Sequence, residues 1–243
     1  MQRFFVDFDA VSDNRITVTG DDARHISFSL RMKKGDAISV CTPDMKQYSC
    51  VITDFSRDSV TAEIVGAEDC GAEPPYRVHL YQALPKGDKT DTIIQKAVEC
   101  GVYSVTLFES SRCIAKASGA IEKKLVRWNR ISSEAAKQCG RGMIPEVNGV
   151  LDFDGMLAEA SRCGLPLFCY ENEDGNLLGN VIRGSDSNEI SVVIGAEGGF
   201  SSEEAEKAIT AGLIPVGLGK RILRCETASS FVLACISLCR ELM

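Results

Sequence analysis

Short hydrophobic segments alternate with polar residues throughout residues 1–73. The alternation has a period of two, which is typical of β-strands with one buried face. It predicts strands at residues 3–6, 15–18, 36–41, 47–53 and 59–65, and a helix at residues 21–30. Five short strands in so few residues predict a small closed or half-closed barrel, because an open sheet of this size exposes its edges.

After residue 73 the pattern changes to strands that alternate with longer amphipathic helices. Residues 70–75 are Cys-Gly-Ala-Glu-Pro-Pro, which predicts a linker because a double proline does not easily continue a helix or a strand. Strands are predicted at residues 77–83, 102–108, 165–170, 190–194 and 214–218, and helices at residues 89–100, 118–139, 151–163, 201–212 and 228–242. This alternation predicts a largely parallel sheet with helices on both faces. The chain is therefore predicted to form a β-barrel domain, residues 1–73, and an α/β domain, residues 74–243.

Two of the predicted strands end at glycine turns. Gly195, Gly198 and Gly199 follow the strand at residues 190–194, and Gly219 follows the strand at residues 214–218. Glycines at strand ends allow main-chain groups to approach a ligand closely, but plain turn chemistry explains them equally well from spacing alone. Neither G-x-G-x-x-G nor G-x-x-x-x-G-K-[ST] occurs, which excludes those two nucleotide motifs.

The composition favours a soluble, cytosolic protein without a metal. Hydrophobic residues make up 44% of the chain, yet no apolar run is long enough to cross a bilayer and the N-terminus lacks a signal-peptide pattern. The eleven cysteines include no C-x-x-C pair, and the two histidines, His25 and His79, lie far apart in sequence. We expect most of the cysteines, such as Cys235 and Cys239, to be small buried hydrophobic residues in a reducing compartment.

The net charge of −7 argues at face value against a nucleic-acid partner, but the charge is unevenly distributed. Residues 112–141 contain eight basic residues and two acidic ones, a local balance of +6. Such a concentration binds phosphate backbones, although a solvated helix face gives the same pattern. Further basic residues at Arg24, Arg31, Lys33 and Lys34 favour the RNA interpretation.

Seven blocks of sequence together resemble a known family. They are GAEGGFSSEE at residues 195–204, LGKRILRCETA at 218–228, RFFV at 3–6, HISFSLRMKKGD at 25–36, LPKGDKTDTIIQKAVECGV at 84–102, RCIAK at 112–116 and RWNRISSEAAKQCGRGMIPEV at 127–147. The first two resemble the knot region of the SPOUT methyltransferases. With the other blocks, which span nearly the whole chain, they resemble the RsmE family, which methylates N3 of a uridine in small-subunit ribosomal RNA.

The resemblance implies a fold, a cofactor and partners. It implies a PUA-like RNA-binding barrel, a trefoil-knot methyltransferase domain, a homodimer and 16S ribosomal RNA as substrate. S-adenosylmethionine is expected among three loops that contain Tyr170, Glu171, Gly195, Glu197, Gly198, Gly199, Leu218, Gly219, Ile222, Leu223 and Arg224. The expected RNA contacts are Arg3, Arg24, Arg31, Lys33, Lys86, Arg112, Arg127, Arg130 and Arg141.

Arg224 and Glu226 are the candidate catalytic residues. Methyl transfer to uridine N3 requires loss of the N3 proton, so Arg224 is expected to stabilise negative charge on the uracil oxygens, and Glu226 to accept the proton or orient Arg224. Alternatively, the two form a structural ion pair. The family usually has threonine where this chain has Cys225, which puts any substrate contact at that position in doubt. Transfer to another RNA atom, such as a ribose 2′-hydroxyl, or RNA binding without catalysis remain alternatives.

Overall fold

The computed structural model describes residues 1–115 and 121–243, and the chain divides into two compact units. Unit 1 comprises Met1–Glu73 and Ala136–Ile144, and unit 2 comprises Pro74–Ala135 and Pro145–Met243. The break after residue 73 falls within the expected linker, whereas the grouping of residues 136–144 with unit 1 was not anticipated. The predicted helix start at residue 118 and the basic residue Lys116 lie outside the described residues.

Unit 1 is built on one curved sheet of six strands. The strands are β1 (Gln2–Phe5), β2 (Val11–Ser12), β3 (Arg15–Thr19), β4 (Ala37–Cys41), β5 (Lys46–Phe55) and β6 (Ser59–Asp69), in the order β1-β4-β5-β6-β3-β2. The β1–β4 pair is parallel and the other pairs are antiparallel. Helix α1 (Gly20–Arg24) continues into a π-helical turn at His25–Ser29.

The sheet of unit 1 encloses a single hydrophobic core. Phe4 of β1, Ile16 of β3 and Ile26 of the π-helical turn are completely buried in it, together with Ile38 and Ile52 from the central strands. Within the described residues no hydrogen-bonded pairing joins the edge strands β1 and β2, so the barrel is half-closed.

A buried ion pair holds residues 136–144 onto unit 1. The Arg141 side chain is only 4% exposed, and its Nε and Nη2 donate to the two Glu73 carboxylate oxygens at 2.9 and 2.7 Å. The Gly142 amide donates to the same carboxylate at 2.7 Å. Removing one partner of such a pair leaves an uncompensated buried charge, which typically costs about 3–5 kcal/mol.

Unit 2 contains a parallel sheet of six strands. The strands are β7 (Arg77–Ala83), β8 (Ser104–Phe108), β9 (Glu146–Leu151), β10 (Leu165–Cys169), β11 (Glu189–Ile194) and β12 (Ile214–Val216), in the order β12-β10-β11-β7-β8-β9. The helices are α2 (Lys89–Glu99), α3 (Ile121–Cys139), α4 (Phe153–Ala160), α5 (Leu178–Arg183), α6 (Ser202–Thr210) and α7 (Cys225–Glu241). The last residues of α3, from Ala136, are grouped with unit 1. The predicted α/β class with a parallel sheet is confirmed.

Several predicted boundaries are wrong. The helix predicted from residue 151 begins after Asp152, whose side chain accepts the Gly155 amide at 2.7 Å, and Leu151 is instead the last residue of β9. Strand β9 was not predicted, nor were β2 and α5. Helix α7 begins at Cys225, three residues before the predicted start. The knot is implied by the resemblance and stays a prediction.

Candidate functional site

A cavity of about 620 Å³ lies at the carboxyl ends of strands β10, β11 and β12. Its wall consists of three segments: residues 169–174 without Asn172, residues 194–200 and residues 217–225. Lys89 and Ala228 complete the wall. The structure brings all eleven predicted cofactor residues to this wall: Tyr170, Glu171, Gly195, Glu197, Gly198, Gly199, Leu218, Gly219, Ile222, Leu223 and Arg224. Their role in binding stays a prediction.

The glycines after β11 are required by close packing. Gly199 has a φ of 61°, and a Cβ atom there would lie 2.1 Å from Oε1 of Glu171. A Cβ on Gly195 would lie 3.1 Å from the Phe200 ring. The Phe200 ring is buried and its centroid lies 4.5 Å from that of Phe168, so it anchors the turn to the core. A plain turn does not explain these contacts, because the glycines pack against neighbouring groups of the wall.

Helix α6 begins where the glycine turn ends. The Ser201 hydroxyl accepts the Glu204 amide at 3.1 Å, and the Glu204 carboxylate accepts the Ser201 amide at 2.9 Å, so the predicted capping box is confirmed. The same carboxylate accepts the Ser111 amide at 2.6 Å. Next to Ser111, the Arg112 guanidinium donates to the Gly198 carbonyl at 2.9 Å. These bonds fix the outer side of the glycine turn.

Gly217, at the end of β12, was not singled out from the sequence. A Cβ atom there would lie 2.1 Å from the Glu173 carbonyl oxygen. The Gly217 amide donates to the Asn176 carbonyl at 2.9 Å, and its carbonyl accepts the Leu178 amide at 3.2 Å. Main-chain hydrogen bonds therefore join the third segment of the wall to residues 176–178, which follow the first segment.

Lys89, the first residue of α2, is a wall residue that sequence reasoning missed. Its Nζ lies 2.7 Å from Glu197 Oε1 and 3.8 Å from Glu226 Oε2. Glu197 also accepts the Lys86 amide at 3.1 Å. Within the described residues Glu226 does not line the cavity, but it contacts Lys89, which does.

The three charged groups of this cluster stabilise one another. The hydrogen bond from Lys89 to Glu197 raises the pKa of Lys89 above its ordinary value. Burial acts to raise the pKa of the Glu197 carboxyl, but hydrogen bonds from Lys89 and from main-chain amides hold it below its ordinary value. Burial is likewise outweighed at Glu226, where its own amide, the Cys225 thiol and the Lys89 charge lower the pKa. All three groups are therefore charged near neutral pH.

Cys225 packs at the start of α7. The residue is 5% exposed, and burial, reinforced by its hydrogen bond to Glu226, raises its thiol pKa to about 12. The thiol is protonated at neutral pH and donates to Glu226 at 3.2 Å. It is therefore a packing residue and a hydrogen-bond donor, and its high pKa excludes a reactive thiolate.

Arg224 is exposed at the wall and is the N-cap residue of α7. Its guanidinium forms no ion pair or hydrogen bond within residues 1–115 and 121–243. Among these residues the carboxylate of Glu226 contacts Lys89, and the Arg224 charge also lowers the Glu226 pKa. The alternative in which Arg224 and Glu226 act as a structural pair stays a prediction. Arg224 remains available for a ligand.

A buried polar network holds α7 against the sheet. Gln82, at the end of β7, and Ser229 of α7 are both almost completely buried, and the Ser229 hydroxyl lies 2.7 Å from Gln82 Oε1. Gln82 Nε2 donates to the carbonyls of Ala83, at 3.0 Å, and Gly195, at 3.3 Å. One side chain thus connects β7, the glycine turn and α7.

The expected RNA contacts differ in their availability within unit 2. Lys86 and Arg112 are exposed, and Arg112 also holds the glycine turn. Arg127 is 60% exposed and pairs with Asp91. Arg130 is 80% exposed and pairs with Glu134 at 2.9 Å. All four stay candidate RNA contacts.

Within unit 1, two of the expected RNA contacts are structural. Arg24, Arg31 and Lys33 are exposed. By contrast, Arg141 is buried against Glu73, and Arg3 donates to the carbonyls of Gly140 and Arg141 and to the side chain of Gln47. The expectation that Arg3 and Arg141 bind RNA is therefore corrected, because their guanidinium groups are occupied within the unit.

Two further findings concern other classes of site. Among the described residues, no group of three or more histidine, cysteine, aspartate or glutamate side chains is arranged to hold a metal ion. In the same part of the chain, every helix is too short or too polar to cross a membrane.

Comparison with known proteins identifies the family. A family described as an RNA methyltransferase domain matches residues 72–237, and one described as an RNA methyltransferase PUA domain matches residues 18–65. The ribosomal RNA small subunit methyltransferase E of Bacillus subtilis is 31% identical, over 100% of this chain and 98% of its own. The protein of the same name from Mesomycoplasma hyopneumoniae is 34% identical, over 96% of this chain and 97% of its own.

A solved structure agrees with this match. The crystal structure of a ribosomal RNA small subunit methyltransferase E from Neisseria gonorrhoeae, bound to S-adenosyl methionine, superposes with a TM-score of 0.85. It is 28% identical and covers 98% of this chain and 97% of its own. The chain belongs to the ribosomal RNA small subunit methyltransferase E family.

Proposed function

We propose that this protein transfers the methyl group of S-adenosylmethionine to N3 of a specific uridine in 16S ribosomal RNA. The product is 3-methyluridine in the small ribosomal subunit. One observation carries this proposal: residues from three separate loops, all expected to bind the donor, line a single cavity at the carboxyl ends of parallel strands. The names of the relatives and the donor bound in the Neisseria structure support the donor and the class of RNA.

The cavity fits S-adenosylmethionine in size and chemistry. Its volume of about 620 Å³ lies within the usual range for small-molecule sites, roughly 300–1,000 Å³. Gly195, Gly198 and Gly199 line the cavity, and main-chain groups of this turn would hold the adenosine portion. Leu218 and Leu223 supply apolar wall, and the Glu171 carboxylate next to Gly199 suits a hydroxyl or a positive charge.

The chain's own residues act mainly by alignment and electrostatics. S-adenosylmethionine, when bound, supplies an electrophilic methyl group on a sulfonium. The fixed glycine turn and the 217–225 segment orient the donor relative to the base, which is the main requirement of an in-line displacement. Arg224 faces the cavity and stabilises the negative charge that develops on the uracil oxygens as the N3 proton leaves.

Glu226 is a poor proton acceptor in this site. Its lowered pKa weakens it as a base, and it is not among the described residues that line the cavity. We therefore assign Glu226 to positioning and leave the N3 proton to water. N3 is paired and stacked in a duplex, so the target uridine must be unpaired or flipped out to reach the wall.

We also propose a role for each domain, an oligomeric state and a location. Residues 1–73 bind RNA, and residues 74–243 carry the methyltransferase. Phe231 and Leu238 of α7 are 37% and 49% exposed and lie two turns apart, so this helix offers apolar surface to a second copy. A homodimer in the cytoplasm, where ribosomes are assembled, fits this role.

The direct test is product formation. Native protein is incubated with S-adenosylmethionine and either 16S ribosomal RNA or small subunits from a strain lacking this gene, and the digested nucleosides are analysed by mass spectrometry. We expect 3-methyluridine. A ribose-methylated product would favour the alternative target atom, whereas absence of calorimetric binding of the donor would leave a binding protein without catalysis. Persistence of 3-methyluridine in 16S RNA of the deletion strain would exclude the proposal.

Arg224→Ala tests the electrostatic role. Loss of a donor aimed at developing negative charge typically lowers kcat by about 10²–10³-fold, and we expect a decrease of that order. The dissociation constant for the donor should stay within about threefold, because the turns that hold the donor are mainly main chain. Arg221→Ala, a neighbouring exposed cation on the same wall, is the matched control. Unchanged turnover in Arg224→Ala would make this residue part of the scaffold.

A further inference from the structure

Lys89 differs from the other cations of the cavity wall. The wall contains Lys89, Lys220, Arg221 and Arg224. Among the described residues of the wall, Lys89 is the only lysine or arginine with an ion-pair partner, and it has two, Glu197 and Glu226. Its ammonium group is therefore the one positive charge of the wall that is held in place before a ligand binds.

The position of Lys89 at the start of its helix requires partners for its charge. It is the first residue of α2 and follows the N-cap residue Asp88. The N-terminus of a helix carries partial positive charge, so a lysine there is unfavourable for the helix itself. Glu197 and Glu226, which come from two other segments of unit 2, offset this effect and hold the ammonium at the cavity.

We propose that Lys89 is a catalytic residue that, together with Arg224, stabilises the uracil anion, and that Glu197 and Glu226 are positioning residues that act through Lys89. This inference rests on the proposed function. N3 of uracil lies between two carbonyl groups, and loss of its proton spreads negative charge over both oxygens. Lys89 and Arg224 would supply one cation to each of these two acceptors. Cytosine, with an amino group beside N3, would present a donor to one of the cations and is disfavoured.

The reaction balances with groups that the proposal names. The N3 proton leaves to water, and N3 forms a bond to the methyl carbon. The electron pair of the carbon–sulfur bond stays on sulfur, so the sulfonium becomes a neutral thioether. Lys89 donates no proton in this sequence and remains an ammonium. The hydrogen bond to Glu197 raises the pKa of Lys89, which keeps it charged throughout the reaction.

The test compares Lys89→Met with Lys89→Arg and Lys96→Met. Lys96 lies on the same helix, is 47% exposed and pairs with Glu99 at 2.8 Å, so its replacement removes a comparable ion pair away from the cavity. For each variant, kcat for 3-methyluridine formation is measured from about pH 6 to about pH 10, a range that lies below the ordinary lysine pKa of about 10.4. The donor dissociation constant is measured by calorimetry.

We expect Lys89→Met to lower kcat about 100-fold near neutral pH, the order of effect of one lost electrostatic donor. Its pH–activity profile should be shifted to higher pH than that of the native protein, because the N3 proton is harder to remove without the cation. Donor affinity should stay within about threefold. Lys89→Arg should recover part of the activity, and Lys96→Met should match the native protein.

A second variant keeps the test decisive. Glu226→Gln keeps the Lys89 ammonium group but removes one of its two carboxylate partners. We expect a smaller decrease in kcat and a shift of the pH–activity profile in the same direction. If Lys89→Met does not fold, Glu226→Gln decides the question.

Two outcomes overturn the assignment of Lys89 alone. One is a pH profile of Lys89→Met that shows no shift relative to the native protein. If that variant does not fold, the same result in Glu226→Gln counts instead. The other is a loss of donor affinity that accounts for the whole loss of kcat/KM. A native protein that forms no 3-methyluridine overturns the proposed function, and this inference with it.

Discussion

Gly199 and Glu171 show how a missing side chain shapes the cavity. The carboxylate of Glu171 occupies the space that a Cβ of Gly199 would need, at 2.1 Å, and the φ of 61° at Gly199 is unfavourable for any residue with a side chain. Two loops distant in sequence therefore approach each other through one glycine.

Gly199→Ala should weaken donor binding. The added methyl group displaces Glu171 and strains the turn, and strain of this kind costs about 1–3 kcal/mol. We expect an increase of at least about tenfold in the dissociation constant for S-adenosylmethionine, the equivalent of about 1.4 kcal/mol. Isothermal titration calorimetry measures this directly.

Gly212→Ala is the control for Gly199→Ala. Gly212 has a φ of 92°, but a Cβ there meets no atom within 4 Å, and the residue does not line the cavity within the described residues. It should lower the melting temperature and leave donor affinity unchanged. Equal losses of affinity in both variants would show that general destabilisation, rather than the contact with Glu171, controls binding.

At the residue scale, the sequence predicts the groups that act locally and misses those that depend on distant partners. The glycines and Arg224 were predicted because they follow strand ends or belong to a quoted block. Lys89 was missed because Glu197, which fixes it, is 108 positions away. Arg141 was assigned to RNA because its partner Glu73, 68 positions away, is not visible in a local count of charge.

At the element scale, the network between β7 and α7 positions the last helix. Helix α7 starts directly at the cavity wall, with Arg224 as its N-cap residue. Ser229, one turn into the helix, reaches Gln82 Oε1 at 2.7 Å and the Cys225 carbonyl at 2.8 Å. Since its hydroxyl has one proton, it donates to one of these oxygens at a time.

Ser229→Ala should destabilise unit 2. It leaves Gln82 Oε1 buried without its partner, and an unsatisfied buried acceptor costs about 1–3 kcal/mol. We expect a loss of this size in the free energy of unfolding in urea. Ser230→Ala is the matched control, since the Ser230 hydroxyl donates only to the Glu226 carbonyl within its own helix, at 3.2 Å. A control that loses as much stability as Ser229→Ala would contradict the role of the network.

The elements that escaped prediction are short or irregular. Strand β9 lies at the edge of the sheet, contains Gly149 and Asn148, and its register with β8 shifts between Thr106 and Leu107. Its pattern is therefore not a clean alternation. Helix α5 has only six residues and no side-chain N-cap, so nothing in the sequence marks its start. By contrast, β7 and β11 are buried along most of their length, and their predicted bounds lie within one residue of the observed ones.

At the scale of the whole molecule, an acidic protein is proposed to bind RNA. The net charge of −7 implies that attraction to phosphate depends on local groups of basic side chains. In unit 2, Arg127 and Arg130 lie one turn apart along α3, and each already pairs with a carboxylate, Asp91 and Glu134 respectively. Because these side chains are 60% and 80% exposed, the pairs are weak enough to exchange for phosphate contacts.

Replacement of both Arg127 and Arg130 by alanine should weaken RNA binding and flatten its salt dependence. Each phosphate contact contributes about 0.7–0.9 to the slope of log K against log salt, so loss of two contacts should reduce the slope by about 1.5. Arg77→Ala is the control. Arg77 is 56% exposed and pairs with Glu189. It is the first residue of β7, so it lies at the amino ends of the strands, away from the cavity at their carboxyl ends. Fluorescence anisotropy with a 16S RNA fragment at several salt concentrations measures both slopes.

If the double variant keeps the native slope, Arg127 and Arg130 make no phosphate contacts and their ion pairs with Asp91 and Glu134 are structural. If its slope falls no further than that of Arg77→Ala, the contribution is one of net charge rather than of position.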